Sequence, residues 1–97
     1  MNRAAGFVEA EGFVPIFDAI DAMVKATSVQ VTGTIRLGGG LVAAAVVGDL
    51  ATVEEALEIG VAKARAASSG SRVSSIIFAS PAIPVAALAA NPELLDA

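Results

Sequence analysis

Three consecutive glycines, Gly38 to Gly40, constrain the fold of this chain most, because they separate two runs with the pattern of β-strands. Residues 29–37 alternate apolar and polar side chains, and residues 41–47 are almost wholly apolar. Such patterns are typical of strands with one or both faces buried. Glycine adopts positive φ freely, as tight hairpin turns require. The sequence therefore predicts a β-hairpin with bare backbone at its tip.

Two helices are predicted on either side of this hairpin. In residues 13–26 the apolar residues recur at helical spacing, and we expect a buried side made of Phe13, Ile16, Phe17, Ile20, Met23 and Val24. A second helix follows Gly48, with Asp49 as its expected N-cap, and ends before the serine-rich segment 68–71. Its expected buried stripe consists of Val53, Ala56, Leu57, Gly60, Val61 and Ala64.

Short β-like runs at 5–9 and 72–79 complete the order β-α-β-β-α-β. This order predicts a ferredoxin-like fold of the α/β (α+β) class, with a four-stranded antiparallel sheet and two helices on one face. Residues 84–88 and 93–95 suggest short helical pieces in a loose C-terminal tail. A chain of 97 residues without a linker fits a single domain over 1–97, with its core at 5–80 and a variable tail at 81–97.

The composition indicates that the chain does not act as an isolated monomer. Hydrophobic residues make up 56% of it and charged residues 16%, against roughly 25% charged in ordinary globular chains. The surplus apolar surface needs a membrane or a partner subunit to cover it. Residues 73–92 are uncharged and long enough to span a bilayer, but Pro81 and Pro84 interrupt them, so we expect no membrane span. Self-association is the remaining expectation.

The residues offer little reactive chemistry. There is no histidine and no cysteine, which removes the commonest general base, the commonest metal ligand and the thiol nucleophile. The net charge of −4 gives no electrostatic basis for binding nucleic acid. Glu9 and Glu11 lie on one face of a strand and invite an acid–base or metal interpretation, but a salt link to Arg3 or Arg72 is the simpler one. We therefore expect no catalytic residue, no metal and no cofactor.

Four short segments together resemble the hexamer-forming shell proteins of bacterial microcompartments. They are Gly-Phe-Val-Glu-Ala-Glu-Gly at 6–12, Ala-Ile-Asp-Ala-Met-Val-Lys-Ala at 19–26, Gly-Gly-Gly-Leu-Val at 38–42 and Val-Gly-Asp-Leu at 47–50. The resemblance runs in order from about residue 5 to residue 80. It implies flat six-fold discs that tile into a polyhedral shell in the cytoplasm and pass small metabolites through an axial pore. The implied partners are copies of this chain, other shell proteins, encapsulated enzymes and metabolites, without nucleic acid or membrane.

The resemblance also assigns residues to the pore and to the edge of the disc. The family's pore loop corresponds to Arg36, Leu37, Gly38, Gly39 and Gly40, with Gly39 where the family usually has a serine. Its edge lysine corresponds to Lys25, which otherwise reads as the partner of Asp21 one helical turn earlier. On the residues alone, the glycines fit a plain hairpin, and Arg36 fits a solvated strand end. With the resemblance, we expect a wide, glycine-lined pore with Arg36 near its mouth, favouring anions.

Two edge positions depart from the family's pattern. Ser28 stands where the family usually has an asparagine, and Pro81 lies in a segment that lacks the usual arginine. These departures bear on the strength and the angle of the contacts between hexamers, and not on the formation of the hexamer itself.

Two other function classes remain open from the sequence. One is a small-molecule-binding regulatory module of ferredoxin-like fold, in which the glycine-rich loop holds a carboxylate. The other is an acylphosphatase-like enzyme, which we disfavour because Asn2 and Asn91 lie in the tails and Arg3 precedes the first strand.

Overall fold

The computed structural model describes residues 3–68 and 72–91, with the side chain of Ile83 left out, and has the predicted order of elements. The elements are β1 (Ala4–Glu11), α1 (Phe13–Ala26), β2 (Gln30–Gly38), β3 (Leu41–Gly48), α2 (Leu50–Ala67), β4 (Val73–Phe78) and α3 (Ile83–Ala90). The strands form one antiparallel sheet in the order β2-β3-β1-β4. The ferredoxin-like prediction is confirmed. The helical piece predicted at 93–95 lies outside the described residues.

The main core lies between one face of the sheet and the helices α1 and α2. Alternate residues of β1, Ala4, Val8 and Ala10, point into it because successive side chains of a strand face opposite sides. They meet Ile16 and Met23 of α1 and the predicted stripe of α2, of which Val61 is only partly buried. Within the described residues no polar or charged residue is buried. The core is therefore small and wholly apolar.

The predicted buried side of α1 is partly wrong. Ile16 and Met23 are buried, but Phe17 is 56% exposed and Val24 47% exposed. The helix instead turns Pro15 and Ala19 inward. These compact side chains let the helix backbone approach the neighbouring elements more closely than a phenylalanine would allow. Close packing of the backbone therefore selected small side chains for the buried side and left larger apolar ones exposed.

Helix α3 packs on the opposite face of the sheet and is not a loose tail. Val85 and Leu88 share a cavity with Phe7 and Ala43 on that face, and Ala89 is fully buried. Thr32 is the extra residue in a bulge of β2. Its hydroxyl lies within hydrogen-bond distance of two carbonyl oxygens, that of Ala45 at 3.2 Å and that of Ala89. The sheet is thus covered on both sides, by α1 and α2 on one face and partly by α3 on the other.

Helix α2 begins at the predicted cap. The Asp49 Oδ1 atom accepts a hydrogen bond from the Thr52 backbone N–H at 2.9 Å. Hydrogen bonds from the side chain and the backbone of Thr52 lower the pKa of Asp49 from 3.8. None of the helices within residues 3–68 and 72–91 is long and apolar enough to cross a membrane.

Candidate functional site

The glycine hairpin forms an open tip at one end of the sheet. Gly38 pairs with Leu41, which leaves a turn of two residues, Gly39 and Gly40. Their φ angles of 61° and 83° match those of a type I′ turn, and Gly38 also has a positive φ of 89°. A Cβ atom built on any of these glycines would meet no atom within 4 Å. The tip therefore needs glycine for its backbone angles and not for lack of room.

The junction between β1 and α1 holds this tip in place. The Gly12 N–H donates a hydrogen bond to the Gly40 carbonyl oxygen at 2.8 Å. The next residue, Phe13, lies beneath the Arg36 guanidinium, whose carbon is 5.7 Å from the centre of the ring. Two successive residues thus contact the backbone and the charged side chain of the predicted pore loop. The hydrogen bond extends the β1–β3 pairing by one residue, whereas no sequence pattern indicated the contact between Phe13 and Arg36.

The residues before the glycines differ in the face of the sheet to which they belong. Arg36 lies opposite Val42, which belongs to the core on the α1 and α2 side. Leu37 lines a cavity of about 470 Å³ on the α3 side, together with Glu9 and Ser74. The loop therefore presents a cation towards one side of the sheet and an apolar side chain, 43% exposed, towards the other.

The carboxylates of β1 have structural partners. Glu11 forms an exposed ion pair with Arg72, at 3.4 Å between its Oε1 atom and the arginine Nε, as predicted. Glu9 accepts a hydrogen bond from the Ser74 hydroxyl at 2.8 Å, whereas Arg3 lies beside Gln30. The part of the chain that the structure describes contains no group of three or more acidic residues that could hold a metal. This arrangement gives no support to an acid–base or metal site.

The predicted edge residues lie at the other end of the molecule. The Lys25 Nζ atom is 3.0 Å from the Asp21 Oδ2 atom, with the two side chains 73% and 59% exposed. Ser28 is exposed, and Pro81 lines a depression with Gln30, the first residue of β2. β2 runs from Gln30, at this end, to Gly38 at the glycine tip, and a strand of that length spans roughly 26 Å.

Two apolar surfaces lie along opposite sides of the molecule, between the glycine tip and this far end. One is a stripe of exposed residues on α1, which packs over the β2 side of the sheet: Val14, Phe17 and Val24. The other is the open edge at β4 beneath α2, where Ile76 and Ile77 line a groove of about 440 Å³ with Leu57 and Val61. The groove is also lined by charged residues of α2: Glu54, Glu58 and Arg65. We call these two surfaces the α1 stripe and the β4 edge. The α1 stripe could not be predicted from the sequence, because Phe17 and Val24 lie at positions that fit a buried side as well.

Comparisons with known proteins match this chain to one family. The family model described as "BMC domain" matches residues 4–81. The bacterial microcompartment shell protein EutM of Salmonella typhimurium is 44% identical over 63 residues, which are 65% of this chain and 66% of that protein. The carboxysome shell protein CcmK2 of Thermosynechococcus vestitus is 37% identical over 81 residues, which are 84% of this chain and 79% of that protein.

A solved structure gives the same result for the fold. A microcompartment protein from Desulfitobacterium hafniense is similar with a TM-score of 0.69 and 21% sequence identity. The similarity covers 93% of this chain and 48% of that one. This chain therefore spans just under two thirds of the EutM relative and about half of the solved structure.

Proposed function

The chain belongs to the BMC-domain family of bacterial microcompartment shell proteins, and we propose that it forms cyclic homohexamers that tile laterally into such a shell. The proposal includes a pore on the ring axis for small metabolites. The hexamer, the pore and the tiling come from the resemblance of the sequence to hexamer-forming shell proteins. The geometry of the described residues supports each of them.

The observation that carries the proposal is the placement of the two predicted sites. A ring with an axial pore and lateral contacts needs each subunit to have its pore residues at the inner end and its edge residues at the outer end. The glycine tip and the group Lys25, Ser28 and Pro81 lie at opposite ends of β2. The molecule is also a slab with extents of 39 × 32 × 16 Å, a shape suited to a thin layer.

The exposed apolar surfaces support a ring and not a simple dimer. A two-fold dimer needs one self-complementary patch, whereas a ring needs two different patches that meet head to tail. The α1 stripe and the β4 edge are different surfaces on opposite sides of the slab. Packing the α1 stripe of one copy against the β4 edge of the next would bury side chains that the monomer leaves exposed.

In such a ring the tips of six hairpins would surround the axis. Gly38 to Gly40 add no side chain beyond Cα, so the opening is lined by main chain and is wider than one narrowed by serine. Backbone N–H groups and the Arg36 cation, which lies at the loop, favour small anionic metabolites. A ligand that enters from the α1 side would meet Arg36 first, and one that enters from the α3 side would meet Leu37 first.

At the outer end, Lys25 is suited to contact a neighbouring hexamer. Its exposed ion pair with Asp21 contributes about 0.3 kcal/mol to the helix and is easily exchanged for another partner. The methylene stem can lie along a neighbour while the ammonium binds a carbonyl or a carboxylate. Ser28 and Pro81 lie at the same end and complete the proposed edge contact.

The proposed role is structural, within a microcompartment in the cytoplasm, and needs neither catalysis nor a cofactor. Its partners are copies of this chain, other shell proteins and the enclosed enzymes. The absence of buried polar groups among the described residues fits a subunit that contacts other subunits and lines a pore.

The experiment is analytical ultracentrifugation followed by electron microscopy of the purified protein at high concentration. We expect hexamers that form sheets or tubes. Lys25→Ala should leave the hexamers intact and abolish the sheets, because Lys25 is proposed to act only between hexamers. Lys63→Ala, which removes another exposed lysine from α2, is the matched control and should tile normally.

A stable monomer would contradict the proposal as a whole. Sheets that persist unchanged in Lys25→Ala would remove that residue from the edge contact. A dimer whose melting temperature rises with an added amino acid would favour the regulatory module instead.

A further inference from the structure

We propose that Phe13 is a positioning residue that holds the Arg36 charge at the rim of the passage on the α1 side. The inference rests on the proposed pore and goes beyond it, because it assigns the placement of the charge to a residue outside the pore loop. Phe13 belongs to the start of α1, and no pattern in the sequence pairs it with Arg36.

The path of the Arg36 side chain is the first argument. Arg36 lies on β2, and Phe13 follows β1, but β3 lies between these two strands in the sheet. The guanidinium carbon nonetheless sits 5.7 Å from the centre of the Phe13 ring, within the range of a cation–π interaction. The arginine therefore folds over the α1 face of its own subunit, where Phe13 begins the helix.

The second argument is that Phe13 is itself fixed. Its ring is partly buried against the main core and lies 5.4 Å from the ring of Phe17. The preceding residue, Gly12, donates the hydrogen bond to the Gly40 carbonyl. A single junction thus fixes the ring and the loop relative to one another, which gives the charge a defined position beside the tip.

The third argument is that the charge of Arg36 stays uncompensated. Within residues 3–68 and 72–91 the ion pairs are Lys25 with Asp21 and Arg72 with Glu11, so no carboxylate is paired with Arg36. A ring face orients a cation without neutralising it. Phe13 therefore keeps the Arg36 charge in place and available to a passing anion, which a carboxylate partner would not do.

In the ring, six guanidinium groups would form a cationic rim on the α1 side, outside the glycine-lined throat. On the α3 side the same loop presents the apolar Leu37, so that the two mouths differ in charge. Replacing the aromatic ring by an aliphatic side chain frees the arginine to spread into solvent, and the local concentration of anions at the rim falls.

The test measures ion selectivity of hexamers inserted in planar lipid bilayers, from the reversal potential in a potassium chloride gradient. Arg36→Gln should lower the ratio of chloride to potassium permeability, because it removes the charge. Phe13→Leu should lower the population of arginine held at the rim by roughly two- to fivefold, the factor that corresponds to an exposed cation–π contact. It should therefore lower the permeability ratio, but by less than Arg36→Gln does, because the charge is still present. Phe13→Tyr should retain the selectivity, and the double variant Phe13→Leu/Arg36→Gln should match Arg36→Gln alone.

Phe7→Leu is the control, because it makes the same change on the α3 face of the sheet. A second readout does not depend on passage: the Arg36 Nε–H proton should shift in NMR spectra when the Phe13 ring is removed, and not when the Phe7 ring is removed. Assembly of each variant is checked by ultracentrifugation.

The outcomes separate the inference from the proposed pore. If Arg36→Gln lowers the selectivity and Phe13→Leu leaves both the selectivity and the Arg36 proton unchanged, the positioning role is overturned and the pore stands. If hexamers of the wild type conduct no ions, or Arg36→Gln has no effect, the cationic passage itself fails. An additional loss in the double variant beyond Arg36→Gln would also contradict a role that acts through Arg36.

Discussion

Glycines serve different physical needs at the hairpin tip and beneath the helices. At the tip, Gly39 and Gly40 have positive φ angles, and an added Cβ would meet nothing within 4 Å. Beneath α2, Gly6 has no such φ angle, but an added Cβ would lie 2.8 Å from Leu57 and 2.9 Å from Val53. The first region needs glycine for backbone conformation, and the second needs it for close packing.

The difference shows that one set of glycines serves the stability of the subunit and the other serves its proposed function. The packed glycine lets α2 approach β1 closely, so it belongs to the core of each subunit. The open glycines contribute nothing to packing, yet they keep side chains away from the tip. A substitution in the first region should therefore affect folding, and one in the second should affect what passes the tip.

The largest effect is expected for Gly6→Ala. Val53 is β-branched, fully buried and stiff in a helix, so it cannot yield easily to the new methyl group. We expect a loss of about 1–3 kcal/mol in the free energy of unfolding, from urea titration at fixed protein concentration. Gly48→Ala is the matched control: its Cβ would lie 3.6 Å from Val53, an ordinary contact. Equal losses in the two variants would contradict the packing argument.

A smaller effect is expected for Gly39→Ala, whose Cβ has room but whose φ angle is strained. The left-handed conformation costs a non-glycine residue about 1 kcal/mol in the free energy of unfolding. Gly39→Asn should cost less, because asparagine tolerates this conformation. The same titration compares them, and an asparagine variant less stable than the alanine variant would argue against backbone strain as the cause.

Gly39→Leu should combine a small effect on stability with a large effect on passage. The bulky side chain has free space within its own subunit, so its folding cost should stay near that of alanine. In a ring it would project towards the axis with five copies and close the opening. Ion conductance of assembled hexamers, with Gly39→Ala as the control, measures this. Normal conductance in correctly assembled Gly39→Leu hexamers would mean that passage does not run through this loop.

Much of the fold could be predicted from the sequence because its signals are local. The alternation before Gly38, the glycine turn, the Asp49 cap and the stripe of α2 each depend on residues a few positions apart. Such short-range patterns report secondary structure directly. The assignment of Gly38 to Gly40 and Lys25 to a pore and an edge rested on resemblance, and it stays a prediction.

The features that were missed depend on contacts between distant residues. Phe17 and Val24 lie at positions that fit a buried side, and only the way α1 packs shows that they are exposed. A short helical piece was predicted at 84–88, but not that α3 packs on the sheet, where its Ala89 carbonyl contacts Thr32 of the bulge in β2. The contact between Arg36 and Phe13 joins the end of β2 to the start of α1, residues that lie far apart in the sequence.

By itself, the sequence determined the order of strands and helices, the turn at the glycines and the scarcity of reactive side chains. Each of these follows from periodicity, from the backbone freedom of glycine or from side-chain chemistry, which act over a few residues. Only the tertiary structure decided which apolar side chains stay exposed, that α3 covers the second face, and that Phe13 lies beneath Arg36. Those outcomes depend on how closely whole elements can pack, and side-chain shape across the sheet sets that distance.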